Sequence, residues 1–180
     1  MLITPSFFVD DISIPNNMSP MVFERINGFI NKFEPRLLRD LLGNELYELL
    51  LSEKSERMES LINGTNFIGY EGYNDYWEGL VHDKEQSLIA YYVYYQFEES
   101  NATQSVGLGT TIPNNNAQKA VTPADKMIGA WNNMSNSIKD LTRFLWYSKD
   151  GLGGPLFPEF TEWRWRLLAH KYRAINYFGI

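Results

Sequence analysis

The sequence predicts a mainly α-helical, single-domain protein, built as a bundle of about five to seven helices. The chain has 180 residues, the size of one domain whose core is large enough to fold without disulfides. Apolar residues recur at helical spacing in several segments, which Gly and Pro separate. The most apolar and aromatic run, residues 87–97, lies in a stretch from 80 to 106 that neither Gly nor Pro interrupts.

Residues 87–97 are predicted to form a central aromatic helix. A strand competes with this reading, because Tyr, Val, Ile and Phe favour a pleated, half-buried surface. Length favours the helix, since strands usually end after about 4–8 residues and unbroken segments beyond about 10–12 are typical of helices. Acidic Asp83 and Glu85 also suit the positive N-terminal end of a helix dipole. Apolar side chains would nearly encircle this helix, so we expect it to be buried on several sides.

Further helical segments are predicted on both sides of the central helix. Ser19-Pro20 supplies a favourable N-cap and first helical residue, and Thr122-Pro123 repeats that pattern before a long amphipathic helix. Glu34-Pro35 is expected to open a second helix after a first one that ends near Phe33, and Gly43 is expected to end it. In chain order, these predicted segments cover residues 20–33, 35–42, 45–51, 55–61 and 122–149, and residues 163–172 are expected to form either a last, aromatic-rich helix or an irregular cover.

Three segments outside these helices are distinctive. Residues 1–18 are predicted to be an extended N-terminal arm, packed either on the body of the protein or on a neighbouring subunit. Residues 63–79 mix glycines with Tyr and Trp, which indicates an ordered aromatic turn region. Residues 104–121 are predicted to be a long, polar, flexible loop, and loops of this size in a compact domain are usually functional or disordered.

Composition excludes several classes of function. The chain has no Cys and only two His, His82 and His170, so thiolate sites and multi-histidine metal cages are excluded. A net charge of −6 argues against wrapping nucleic acid through a broad cationic face. No stretch resembles a signal peptide or a membrane span, so we expect no membrane partner and synthesis in a cytoplasm.

The sequence offers no convincing catalytic, metal or cofactor residues, and we predict that the protein is not an enzyme. Gly107-Leu108-Gly109 lacks the strand, third Gly and Gly-Lys-Ser/Thr that a nucleotide loop needs. His82, Asp83 and Glu85 are separated from Glu98-Glu99 by the predicted helix, so a solvated helix end explains these charges better than an acid–base set. The serines lack the Gly-x-Ser-x-Gly context of a hydrolase.

Two groups of side chains have both a structural and a functional interpretation. The aromatic residues suit core packing or protein contact, and they also suit a sugar-stacking platform. The basic residues of the tail suit the solvated face of an amphipathic helix, and they also suit a site for an acidic partner subunit or a nucleic-acid backbone. The aromatic group is Tyr70, Tyr73, Tyr76, Trp77, Trp163 and Trp165; the basic group is Arg164, Arg166, Lys171 and Arg173.

Several short stretches, spread over residues 35–180, resemble one family. They are Leu41-Leu42-Gly43-Asn44-Glu45-Leu46-Tyr47-Glu48-Leu49-Leu50, Ser87-Leu88-Ile89-Ala90-Tyr91-Tyr92-Val93-Tyr94-Tyr95, Thr103-Gln104-Ser105-Val106-Gly107, Asn116-Ala117, Lys126, Trp131-Asn132-Asn133-Met134 and Asn176-Tyr177-Phe178-Gly179-Ile180. The chain resembles the small head–tail connector (adaptor or head-completion) proteins of tailed bacteriophages, in the version carried by Bacteroidetes phages and prophages.

The resemblance implies a helical, non-enzymatic virion protein, made in the host bacterial cytoplasm. Such connectors assemble with copies of themselves into a ring, typically twelvefold, under the portal protein, and they receive the tail or the next adaptor. DNA passes through the centre without sequence-specific binding. The loop 104–121 would then reach a neighbour or line the channel. The interface candidates are Val106, Leu108, Thr110, Ile112 and Asn116 in this loop, and Arg164, Arg166, Lys171 and Arg173 in the tail.

The residues themselves agree with a connector in two respects. An acidic chain suits a channel through which DNA slides, because like charge repels the phosphates. A closed ring also needs two different contact faces, which the arm and the loop would supply. The leading alternative from another class is a small ligand- or carbohydrate-binding module that uses the aromatic cluster, and a third reading is an enzyme of unrecognised type.

Overall fold

The structure, a computed structural model, describes residues 1–81, 87–102, 104–106, 109–111 and 123–175, and the prediction of a mainly helical domain is confirmed. Five α-helices carry the described part of the chain, together with two short antiparallel hairpins. In order, the elements are α1 (Pro20–Ser52), α2 (Glu56–Asn63), β1 (Thr65–Ile68), β2 (Asn74–Trp77), α3 (Leu88–Ala102), β3 (Gln104–Val106), β4 (Gly109–Thr111), α4 (Pro123–Tyr147) and α5 (Glu162–Lys171).

Helix α1 begins where the sequence predicts but runs past the predicted break. Ser19 is the N-cap residue and Pro20 the first helical residue. The prediction that one helix ends near Phe33 and another opens at Glu34-Pro35 is wrong, because Pro35 lies inside continuous helix. Proline removes one hydrogen bond there, and burial of apolar side chains on both sides of it offsets that loss. The predicted break at Gly43 is confirmed: its φ of 84° and ψ of 168° are not helical.

Helix α3 is the central element, and the choice of helix over strand is confirmed. It packs on α1 and more extensively on α4. Buried residues occupy most of its circumference: Leu88, Ile89, Ala90, Tyr91, Val93, Tyr94 and Phe97. Burial on several sides follows from the nearly continuous apolar surface of this helix.

The predicted aromatic turn region is a β-hairpin. β1 and β2 pair antiparallel with Thr65 opposite Trp77 and Ile68 opposite Asn74. Gly64 enters the hairpin at a φ of 88°, and a Cβ there would lie 2.5 Å from the Trp77 carbonyl oxygen. Trp77 is buried, stacks on Phe144 of α4 with ring centroids 5.8 Å apart, and donates from Nε1 to the Leu61 carbonyl. The hairpin is therefore fixed to the helical core through its second strand.

The N-terminal arm packs on the body of its own chain. Two 3-10 turns, Pro5–Phe7 and Asp10–Ile12, replace the uniformly extended conformation that the sequence predicts. The arm buries Ile3, Phe7, Phe8, Ile12 and Ile14 in the core. This packing explains why the first eighteen residues are rich in apolar side chains.

Candidate assembly surfaces

The β1–β2 hairpin exposes large apolar and aromatic side chains. Ile68, Tyr70, Tyr73 and Tyr76 have exposed fractions of 52%, 61%, 72% and 51%. Tyr70 packs edge-on against Tyr147 of α4, with centroids 5.8 Å apart. Exposed aromatic patches of this kind mark contact sites for proteins or ligands.

A small recess lies beside these tyrosines. Gly69, Tyr70, Tyr73, Asn74, Asp75 and Arg143 line about 250 Å³ of space. Asp75 and Arg143 form an ion pair across it. The recess therefore combines two aromatic rings with a carboxylate, an amide and a guanidinium, which are the groups that bind sugar hydroxyls.

The aromatic residues singled out in the sequence do not all meet. Trp77 is buried in the core, so it takes no part in a surface platform. Trp165 packs against Trp146 and Tyr147, and Tyr147 in turn contacts Tyr70. The structure thus connects the hairpin to α5 through Tyr147, a residue that the sequence did not single out.

A larger cleft of about 490 Å³ is lined by all four residues of β1. Phe67, Phe144 and Leu156 supply apolar surface, and Ser148 and Lys149 also line it. The full lining is Glu56, Arg57, Ser60, Thr65–Ile68 of β1, Phe144, Ser148, Lys149, Asp150, Gly151 and Leu156. Ser148 is 2% exposed, and its Oγ has no hydrogen-bond partner among the described residues.

An ion-pair network holds one side of this cleft. Arg57 of α2 donates to Glu159 at 3.0 Å and to Glu53 at 2.9 Å. Hydrogen bonding to Glu53 raises the pKa of Arg57, and the same contact lowers the pKa of Glu53. The guanidinium also donates to the Leu156 carbonyl at 3.4 Å. This arginine therefore ties the segment after α4 to α2 and keeps the cleft's shape.

The predicted basic group of the tail is partly used inside the chain. Arg164 donates to the Asp40 carbonyl at 2.8 Å, and Lys171 pairs with the Asp40 carboxylate at 2.6 Å. Tyr172 also donates its hydroxyl to that carboxylate. Burial, followed by the bond to Asp40, raises the pKa of Tyr172. Arg164 and Lys171 thus fasten α5 to α1.

The other two basic residues lie at the surface. Arg166 pairs with Glu162 one turn away at 2.6 Å, and Arg173 lies 3.3 Å from His170 Nδ1. Both contacts are local and exposed, so these two cations remain reachable by a partner. Among the loop candidates, Val106 is in β3 and Thr110 in β4, whereas Leu108, Ile112 and Asn116 lie outside the described residues.

Glu34 is a structural residue that the sequence reading missed. It is 4% exposed, and its carboxylate accepts from the Leu2 amide at 2.8 Å and the Ile3 amide at 3.2 Å. The sequence placed Glu34 at the predicted break before Pro35, and its partners are backbone groups more than thirty residues away. Side-chain patterns do not reveal such partners.

Within the described ranges, no group of three or more His, Asp or Glu side chains could hold a metal ion. None of the described helices is both long enough and apolar enough to cross a membrane.

A family model described as a family of unknown function (DUF6712) matches residues 38–159. The chain belongs to the DUF6712 family. No curated protein and no solved structure matches it.

The DUF6712 match divides the surfaces described above. The hairpin β1–β2, the cleft beside it and the hairpin β3–β4 lie inside residues 38–159. The N-terminal arm, the first half of α1 and helix α5 lie outside this range. The loop candidates Val106 to Asn116 therefore fall within the family's own region, and the basic tail candidates do not.

Proposed function

We propose that this DUF6712 protein is a structural virion subunit that forms a ring with copies of itself and joins a phage head to a tail. Its partners would be the portal protein on one side and a tail or adaptor protein on the other. DNA would pass through the ring without sequence-specific contact. The proposal rests on the resemblance of the sequence to head–tail connectors and on the surfaces described above.

The exposed face of the β1–β2 hairpin is the observation that carries this proposal. Four large side chains, Ile68, Tyr70, Tyr73 and Tyr76, are each at least half exposed on one short hairpin. Tyrosine supplies contact area at a low cost in conformational entropy and keeps a polar tip for wet interfaces. The hairpin is anchored through buried Trp77, so the tyrosines stand on a rigid support. A rigid aromatic face of this kind supports a role in protein contact.

Two further features support a ring around DNA. The chain carries a net charge of −6, which disfavours adhesion of the phosphate backbone. The β3–β4 hairpin follows α3 closely in the chain, and α3 packs extensively on α4. A ring needs a different face at each side of the subunit, and the two hairpins are suitable candidates.

The test is electron microscopy and mass photometry of the purified protein, alone and mixed with a cognate portal protein. We expect rings, either free or on the portal. Tyr73→Ala should reduce ring formation without loss of fold, since Tyr73 is exposed. Met21→Ala, which removes an exposed apolar side chain of α1, is the matched control and should assemble normally. A protein that stays monomeric with and without the portal would overturn the proposal.

A small ligand- or carbohydrate-binding module is the second candidate. The recess of about 250 Å³ favours it, because Tyr70 and Tyr73 flank the ion pair of Asp75 with Arg143 there. Glycan-array binding followed by calorimetry tests this reading. Saturable binding by a stable monomer, lost in Asp75→Ala and retained in Met21→Ala, would favour the module over the connector.

A further inference from the structure

A row of three cations lies on the exposed face of helix α1. Lys32, Arg36 and Arg39, the cationic row, fall within about 60° of one another around the helix axis and span about 10 Å along it. All three side chains are exposed. None of them forms an ion pair with another described residue. On a chain whose net charge is −6, the cationic row is a local positive surface that suits an anionic partner.

Aromatic rings support the cations of this row. Lys32 Nζ lies 4.9 Å from the centroid of the Phe33 ring, and the Arg36 guanidinium carbon lies 5.9 Å from the same centroid. The Arg39 guanidinium carbon lies 4.7 Å from the centroid of the Tyr47 ring. A long side chain that already packs on a ring loses less conformational entropy when it binds a partner. The cationic row is therefore better ordered for contact than freely moving charges would be.

A groove between α1 and α3 runs beside the cationic row. Phe29 and Phe33 are partly buried there, and their rings stack with centroids 5.7 Å apart. Tyr92 of α3 packs edge-on against Phe33 at 6.2 Å. The groove has a volume of about 360 Å³, and its lining is Phe29, Lys32, Phe33, Gln96, Glu99 and Ser100. Aromatic rings next to cations are the composition typical of protein contact sites.

The C-terminal end of α1 has the opposite charge. Residues 44–52, which follow the break at Gly43, contain no Lys or Arg. Glu45 and Glu48 are exposed there, and neither pairs with a described cation. Leu51, one turn beyond Glu48, is 63% exposed. These three residues, the acidic end, span about 9 Å, which is close to the length of the cationic row.

We propose that the acidic end of one copy of this chain docks on the cationic row of a second copy, with Leu51 in the groove beside Phe29 and Phe33. Charge complementarity favours this occupant, because opposite charges on two separate surfaces of one chain attract its copies and set their orientation. The two surfaces differ, so the contact is heterologous and suits a ring. This inference rests on the proposed ring and adds a contact between neighbouring subunits to it.

Charge reversal tests the contact. One variant carries Lys32→Glu with Arg36→Glu, and a second carries Glu45→Lys with Glu48→Lys. All four side chains are exposed, so both variants should fold, which circular dichroism checks. Like charges then face each other, and each variant alone should self-associate at least about tenfold more weakly than the natural chain. An equal mixture restores opposite charges at every contact and should recover association in sedimentation velocity at low salt.

A matched control carries Lys139→Glu with Lys149→Glu, which changes the net charge equally at two other exposed lysines. This control should associate as the natural chain does. Association of the natural chain should also weaken as salt is added, because salt screens exposed charges. Three results overturn the inference: an equal loss in the control, no recovery in the mixture, or a natural chain that stays monomeric at low salt at every concentration.

Leu51 gives a second readout that does not depend on charge. Leu51→Ala removes the side chain that we place in the groove, and Leu152→Ala removes one that is 98% exposed in the turn after α4. We expect Leu51→Ala to weaken self-association by about tenfold, since the leucine would lose a buried contact. Leu152→Ala should have no effect. Equal association of the two variants contradicts the docking.

The outcomes separate this inference from the proposed function. Rings that survive both charge-reversal variants leave the connector proposal standing and remove the α1 contact. Recovery in the mixture as a closed dimer supports the contact and removes the ring. Nucleic acid is the other anionic occupant. If the Lys32→Glu, Arg36→Glu variant associates normally but loses binding of a labelled DNA duplex, the cationic row binds phosphates and the inference is wrong.

Discussion

Replacing Glu34 by alanine should release the N-terminal arm from the body of the protein. The Glu34 carboxylate accepts from the Leu2 amide at 2.8 Å and the Ile3 amide at 3.2 Å, and the N-terminal amine lies 3.7 Å away. Hydrogen bonds to a charged acceptor are worth about 1.5–3 kcal/mol each. Loss of two such bonds therefore corresponds to about 3–6 kcal/mol if the arm stays docked.

Release of the arm limits this cost, because the two amides then hydrogen-bond to water. We expect the variant to exchange its arm amides quickly while helices α3 and α4 keep their protection. Hydrogen exchange with mass spectrometry measures both regions in one experiment. Glu34→Gln keeps one acceptor oxygen and should give an intermediate effect. Glu24→Ala, an exposed acidic residue of the same helix, is the control and should exchange as the natural chain does.

Two results would refute this reasoning. Unchanged exchange at residues 2–14 in Glu34→Ala would show that the carboxylate does not hold the arm. A simultaneous rise of exchange in the arm, α3 and α4 would show that the arm is part of one cooperative unit with the helical core. Urea unfolding distinguishes the second case from simple release, because the free energy of unfolding would then fall by the full amount.

Three further predictions concern stability. Gly64→Ala should lower the free energy of unfolding by about 2–4 kcal/mol, because φ at Gly64 is 88° and the new Cβ would lie 2.5 Å from a backbone atom. Gly28→Ala on α1, where the new Cβ has open space around it, should raise the free energy of unfolding by about 0.5–1 kcal/mol. Urea titration of the two variants compares these free energies. Burial raises the pKa of Tyr94 to about 12, so its stabilising contribution is complete below pH 10 and is lost as pH rises toward 12. Tyr94→Phe should therefore reduce the fall in the free energy of unfolding between pH 10 and 12. Tyr73→Phe, at an exposed tyrosine, should leave that fall unchanged. Asp40→Asn should cost about 1–2 kcal/mol and speed amide exchange in α5, and unchanged exchange would contradict its role as the anchor.

The sequence predicted helix boundaries well where the residues that set the boundary lie within one turn of it. Ser19-Pro20 and Thr122-Pro123 precede α1 and α4, and both helices begin at the proline. Gly43 interrupts α1 because its backbone takes a φ that other residues rarely adopt. Pro35 was misread, since proline weakens a helix by an amount that tertiary burial on both sides can exceed.

The surfaces were harder to predict because their partners are distant in sequence. The strands β1 and β2 are four residues each, too short for their alternating pattern to stand out among the glycines. Asp40 holds α5 through residues more than 120 positions away, and Glu34 holds the arm through backbone amides. Basic residues of the tail looked free in the sequence, yet Arg164 and Lys171 have partners on α1.

The bare backbone at Gly43 makes room for the C-terminal helix. A Cβ at this position would lie 2.9 Å from the guanidinium carbon of Arg164, which crosses directly over it. Position 43 is inside the DUF6712 range, and Arg164 is beyond its end. Members of the family that carry a bulkier residue at the equivalent of position 43 should therefore place no arginine side chain directly over that residue, so the residues at positions 43 and 164 should vary together.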